Sequence, residues 1–290
     1  MKKIFFPIVI SLVSLIFIFS YQTGQLSDEV LTVVFCDVGQ GDAIYIRTPG
    51  QVDILVDGGR DKKVLDCLSD NMPVWDRDIE LMFATHPDAD HIAGLVDVLE
   101  SYSVKSFNTV SAKKDTKIFE TLKSTISDKK IPHREISQGD SFSLSDGVVI
   151  ETKWPPAQRA LWPGGPREGF SSQDTNEYSL VQILRFGDFD LLLTGDITYQ
   201  ILDALDFEPE SIEVFKLPHH GSKTGVDDST FEKIKVSLAI ISAGKNNSYH
   251  HPHPSVLALL KKFGIGYKRT DVHGSIKIVT DGKTTKVIDN

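Results

Sequence analysis

The chain has 290 residues, 40% hydrophobic and 24% charged, an ordinary globular composition with room for one large domain or two smaller ones. Its formal net charge of −9 excludes a protein that coats nucleic acid with its whole surface. Two cysteines, Cys36 and Cys67, are too few for a disulfide scaffold or a thiolate zinc site, and read as small buried hydrophobes or as one bridge.

Lys2 and Lys3 precede an apolar run from Ile4 to Phe19, interrupted by Pro7, Ser11 and Ser14. This is a secretory n-region and h-region, short for a transmembrane helix. No small-x-small cleavage site follows, so residues 1–24 are expected to be a signal peptide or an N-terminal membrane anchor. Residues 28–290 are then one exported domain: extracellular, periplasmic or held outward on the membrane. Leu31 to Phe35 is a β-branched, apolar strand. The turn Asp37-Val38-Gly39-Gln40-Gly41-Asp42 leads to strands at Ala43–Arg47 and Asp53–Val56, and Asp57-Gly58-Gly59 ends the third. No G-K-[ST] or strand–helix G-x-G-x-x-G context accompanies these glycines, so they read as hairpin turns requiring positive φ. A helix is expected around Val64–Leu68 and a buried strand over Ile79–Ala84.

That strand runs into Thr85-His86-Pro87-Asp88-Ala89-Asp90-His91, two imidazoles and two carboxylates within seven residues. Ile92, Leu95, Val96 and Leu99 then recur at helical spacing, which puts Asp90 and His91 at a helix start. Carboxylates there cap a helix. Imidazole nitrogen and carboxylate oxygen are also the donors that divalent first-row metals accept.

Downstream the pattern alternates. Strands are expected at 106–110, 131–136 and 148–152, with a helix over 119–126. Trp154 to Glu177, with Pro155-Pro156 and Trp162-Pro163-Gly164-Gly165-Pro166, forms no regular element. With Arg159 and Arg167 it suits a flap over a site or a plain surface excursion. Strands over 179–184 and 189–193 form a hairpin that ends in Thr194-Gly195-Asp196. Val214–Leu217 ends in Pro218-His219-His220-Gly221-Ser222. Leu238–Ser242 precedes the polar run Asn246–Pro254, a helix over 255–263, Tyr267–Asp271 and two last strands. The order of strands and helices, run twice, indicates two packed sheets with helices outside.

Metal-type donors thus end three strands: His86/Asp88/Asp90/His91, then Asp196, then His219/His220. With the two glycine turns, Asn247, His251-Pro252 and Arg269-Thr270-Asp271 with Gly274, they resemble the metallo-β-lactamase superfamily, and within it the extracytoplasmic hydrolase domain of ComEC-type DNA-uptake proteins. The resemblance implies a four-layer αββα sandwich, of α/β (α+β) class, with two divalent cations, Zn²⁺ or Mn²⁺, where the sheets meet. It implies His86, Asp88, Asp90, His91, Asp196 and His220 as ligands, Asp196 bridging, with His219 on metal or substrate. Asn176 stands where the superfamily has another histidine, so one site should be looser. The transmembrane channel of ComEC proteins is missing from the pattern, which puts a transport role in doubt.

The chemistry implied is attack on phosphorus or an acyl carbon by a hydroxide shared between the cations. Asp90 orients it, and His219 or His251 protonates the leaving group; His251 reads equally as structural beside Pro252. Asn176, Ser222 and Asn247 are expected on the substrate side. A phosphodiesterase or nuclease on single-stranded DNA is the leading expectation, against a hydrolase of another ester or amide and a non-catalytic binding module. For DNA, an acidic chain must concentrate cations near its site. Lys113, Lys114 and Lys117 lie within a lysine-rich stretch between Lys105 and Arg134, and Lys261, Lys262, Lys268 and Arg269 form a second group. Solvated helix faces are the alternative for both. Membrane contact is expected only through an uncleaved leader, and no obligate protein partner.

Overall fold

The computed structural model describes residues 29–157, 175–207 and 211–288, together with Ser11, Val13 and Ser14. The leader, apart from those three, and the stretch with Arg159, Trp162 and Arg167 lie outside the described residues. Among the described residues no helix is long and apolar enough to cross a membrane.

In chain order the strands are β1 (Leu31–Phe35), β2 (Ile44–Arg47), β3 (Asp53–Val56), β4 (Asp78–Ile79), β5 (Leu81–Ala84), β6 (Ser103–Val104), β7 (Phe107–Thr109), β8 (His133–Glu135) and β9 (Ser141–Ser143). Then come β10 (Val149–Trp154), β11 (Val181–Phe186), β12 (Phe189–Leu193), β13 (Ser211–Lys216), β14 (Lys235–Ile241), β15 (Gly266–Arg269), β16 (Ile276–Thr280) and β17 (Thr285–Ile288). Helices are α1 (Lys63–Asn71), α2 (Ala89–Ser101), α3 (Lys117–Asp128), α4 (Tyr199–Ala204), α5 (Asp228–Lys233), α6 (Pro254–Lys262) and α7 (Thr270–His273).

An eight-stranded sheet runs β17-β16-β1-β2-β3-β5-β7-β8, and a seven-stranded sheet β15-β14-β13-β12-β11-β10-β9. Strand alternation sorts the apolar residues into layers. Leu31, Val33 and Phe35 of β1 pack with Leu191 and Leu193 of β12 between the sheets. Val34 and Cys36 face Leu68, Leu95 and Leu122 of α1 to α3. Leu192, from the other face of β12, packs with Leu202, Phe231 and Leu260 of α4 to α6. The result is the expected sandwich of helices, sheet, sheet and helices.

Two local expectations change, and one open alternative is decided. The strand over Ile79–Ala84 is two: the Glu80 carboxylate accepts from Asp53 N at 2.8 Å, which turns the chain there. Ile79 then pairs with β6 while Leu81 to Ala84 enter the large sheet. Trp154 belongs to β10 and is buried, its indole Nε1 donating to Glu177 O at 2.7 Å. Cys36 and Cys67 form a disulfide that ties the end of β1 to α1, so the bridge reading holds.

Candidate metal centre

The centre sits where the C-terminal ends of β3, β5, β12, β13 and β14 converge. Parallel neighbours make this possible: β3–β5 in one sheet and β12–β13–β14 in the other carry their next residues to the same edge. The start of α2 is pressed onto two glycine turns. Asp42 N donates to Asp90 O, Gly58 N to His91 O and Gly94 N to Gly59 O. A Cβ at Gly41 would come 2.1 Å from Asp90 O, and one at Gly94 2.0 Å from Gly58 O. Positive φ explains Gly39, Gly41 and Gly59, as read from sequence; backbone contact explains Gly58 and Gly94.

The side chains of His86, His91, Asp196 and His220 are buried together. His91 Nε2 and His220 Nε2 each lie 3.3 Å from Asp196 Oδ2, and His220 Nε2 is 3.5 Å from Asp90 Oδ2. Each buried imidazole commits its Nδ1 elsewhere. His91 Nδ1 donates to Asp57 Oδ2 at 2.8 Å and His220 Nδ1 to Ser242 O at 3.1 Å. His86 Nδ1 meets Thr85 Oγ1 at 3.0 Å, and that hydroxyl donates to Asp57 Oδ2 at 2.7 Å. The acceptors fix the Nδ1–H tautomer and leave the Nε2 lone pairs facing inward. Among the described residues His86 Nε2, His91 Nε2, His220 Nε2 and Asp196 Oδ1 are buried with no hydrogen-bond partner. Buried polar atoms without partners are costly, so this donor set fits a divalent cation. His86, His91 and Asp196 can share one ion, and Asp90, His91 and His220 can share one.

Electrostatics agree. Burial opposes the imidazolium of His91, but Asp196 and Asp57 outweigh it and hold its pKa well above the usual histidine range. Asp196 and Asp42 do the same to His220 against its burial. Burial raises Asp196, and His220 and His91 more than reverse that, holding it well below the carboxylate range. A divalent cation held by His91 and His220 would bind in competition with protons. Burial, with His91 nearby, pushes His86 down to about 3.

The remaining expected residues are distributed as follows. Asp88 stands 4.0 Å from His86 Nε2, its Oδ2 is 2.6 Å from Lys114 Nζ and its Oδ1 accepts from Thr175 Oγ1. Lys114, expected on substrate, is thus paired with a metal-site carboxylate. His219 is partly exposed, with Nε2 3.9 Å from Asp196 Oδ2 and 3.5 Å from Asn176 Nδ2. The His251 ring lies 5.7 Å from that of His219, and its Nδ1 is buried without a hydrogen-bond partner. Burial and His219 push His251 down to about 4, so at pH 7 it is a neutral imidazole. Asn247, expected on substrate, braces this loop: it donates to His251 O at 2.6 Å and accepts from His251 N at 2.9 Å. The Ser222 hydroxyl pairs with Thr224 Oγ1 at 3.1 Å. Lys113 and Lys117 are exposed and have no ion pair among the described residues. In the second basic group Lys262 pairs with Asp228 and Arg269 with Asp271, so its charge is partly spent.

Sequence reasoning missed the layer beneath the ligands. Lys216 is 1% exposed, ion-paired with Asp42, 3.8 Å from Asp196 Oδ1 and donating to Gly195 O at 3.0 Å. A lysine inside the apolar run Val214–Leu217 was the available signal. Asp57, Thr85 and Thr175 were also missed as partners.

The chain has the metallo-β-lactamase fold. It aligns with the metallo-β-lactamase fold protein YhfI of Bacillus subtilis at TM-score 0.51 and 11% identity, over 87% of this chain and 100% of that one. It aligns with Zn²⁺-bound PqqB of Methylobacterium extorquens at TM-score 0.52 and 12% identity, over 82% and 97%. No protein-family model matches. In sequence the chain is similar to ComE operon protein 3 of Bacillus subtilis, 28% identical over 264 residues, 83% of this chain and 32% of that protein. It is 26% identical over 258 residues to Recombination protein 2 of Haemophilus influenzae, 88% of this chain and 29% of that protein. The chain therefore spans about a third of the length of these relatives, and fold and site together define a candidate metal centre on the metallo-β-lactamase fold.

Proposed function

We propose that the protein is a phosphodiesterase that cuts single-stranded DNA outside the cytoplasm. The convergence of three buried Nε2 atoms and two carboxylates around Asp196 carries the reading. A divalent pair, when bound, supplies Lewis acidity that activates water near neutral pH and neutralises charge on phosphoryl oxygens. His86, His91 and Asp196 would hold one cation, with Asp88 beside His86, and Asp90, His91 and His220 would hold the other. Asp90, partly exposed, orients the attacking water. His251, neutral and with its Nδ1 uncommitted, hydrogen-bonds the leaving oxygen.

DNA as substrate is supported by the resemblance to ComEC-type DNA-uptake proteins, by the name of one relative, Recombination protein 2, and by Lys113 and Lys117, beside the Lys114–Asp88 pair. Export is supported by the lysine-flanked apolar leader and by the Cys36–Cys67 bridge, a bond that persists in oxidising compartments. The test is cleavage of single-stranded DNA and of a small phosphodiester dye by the metal-loaded protein across a salt series. Lys113→Glu/Lys117→Glu leaves Lys114 on Asp88, so it reads substrate contact alone. DNA cleavage should weaken and the slope of log rate against log salt fall by roughly 0.7 per lost phosphate contact, with dye hydrolysis spared. Hydrolysis of uncharged esters or lactams with no DNA cleavage would favour the envelope-hydrolase alternative.

A further inference from the structure

The loop that carries His251 also carries an aromatic ring that no core layer takes up. Tyr249 is 58% exposed and belongs to none of the three apolar layers of the sandwich. The loop is nevertheless fixed. Asn246 and His250, on either side of Tyr249, are both left-handed at φ 57°. The Asn247 side chain closes the turn, donating to Gly244 O at 2.9 Å and to His251 O at 2.6 Å and accepting from His251 N at 2.9 Å. His250 N donates to Asn247 O at 3.2 Å. Left-handed angles at non-glycine residues persist only where the surroundings enforce them, so Tyr249 is held in place on the surface.

Its position is tied to the metal centre by a row of rings. The Tyr249 ring lies 5.8 Å from that of His251 with the planes 26° apart. The His251 ring lies in turn 6.5 Å from that of His220, at 32°. These are offset-stacking separations. Three rings thus run from a buried residue of the centre, through His251, out to solvent. Tyr249 spends one face on His251 and offers the rest of its ring to whatever approaches the site. A flat, pre-positioned aromatic surface recognises another flat π-system, and every base of an unpaired strand has one. Lys245, four residues earlier on the same loop, is exposed and adds a cation beside the ring.

We propose that Tyr249 is a base-stacking platform. An unpaired nucleobase near the scissile phosphate packs on its ring and extends the row, while Lys245 meets the backbone of the same strand. The inference rests on the nucleic-acid reading above and deepens it. It adds a preference for single strands over duplex, whose bases are already stacked on one another, and a tolerance of sequence, since any base can stack.

The test is steady-state cleavage of short single-stranded oligonucleotides by the metal-loaded full chain, with circular dichroism and metal content as checks. Tyr249→Ala should raise KM about 5- to 150-fold, the range for loss of one base–aromatic stack, with a much smaller effect on kcat. Tyr249→Phe keeps the ring and should stay near wild type. A single abasic site, moved position by position along the oligonucleotide, should raise the wild-type KM by a similar factor at one position and that of Tyr249→Ala hardly at all there. Unchanged KM in Tyr249→Ala would overturn the inference. So would an abasic site that costs Tyr249→Ala as much as wild type, which would mean that the ring only steadies His251. Wild type that hydrolyses a phosphodiester dye but no single-stranded DNA would overturn the nucleic-acid reading, and this inference with it.

Discussion

The Cys36–Cys67 bridge gives the sharpest stability prediction. It closes a loop with a sequence separation of 31, joining the end of β1 to α1 within the layer that supports the Asp37–Asp42 turn. Chain-entropy loss for a loop of this length is worth roughly 3.7 kcal/mol at 25 °C in the unfolded state. At about 2–4 °C per kcal/mol for a domain of this size, Cys36→Ala/Cys67→Ala should melt roughly 7–15 °C below wild type. Both cysteines are buried, so the lost sulfur contacts act in the same direction. Guanidinium unfolding measures the difference, run with a chelator because a cation that binds only the folded state adds its own stabilisation. Reductant should lower the wild-type midpoint and leave the double variant unchanged. Equal midpoints, or two free thiols in the purified protein, would refute the reasoning.

Two predictions concern the layer around the ligands. Asp57→Asn keeps the size of the side chain but removes the charge 2.8 Å from His91 Nδ1, and should weaken zinc about 10–100-fold by chelator competition; unchanged affinity would mean Asp57 does not set the tautomer. Lys114→Met keeps the aliphatic stem and removes the ammonium from Asp88; the pair is partly exposed, so dye hydrolysis should fall only about threefold, and an effect confined to DNA would return Lys114 to the substrate side.

What the sequence revealed follows from the range of the signal. His86 to His91 is legible because a strand end, a turn and a helix start are consecutive, and the spacing alone aims four donors. The order of strands and helices likewise announces two sheets, and β1 shows its two faces by simple alternation. Partners from distant strands are not written locally. Asp57 reaches His91 across 34 positions and Thr175 reaches Asp88 across 87. Lys114 and Lys117 look alike in sequence; only the fold decides that one meets a carboxylate and the other solvent. Glu80 likewise splits a strand through Asp53, a contact with no signature in the run Ile79–Ala84.

On the proposed reading Asp196 would join two cations at the meeting of the sheets, and hydrolysis would depend on them. Elemental analysis of Asp196→Ala beside wild type, with DNA and phosphodiester-dye hydrolysis read on the same samples, tests it most directly. The expected result is loss of hydrolysis together with reduced bound metal, repeated by His91→Ala and not by Asn176→Ala. Full metal content in Asp196→Ala, or full hydrolysis after its metal is gone, would contradict it.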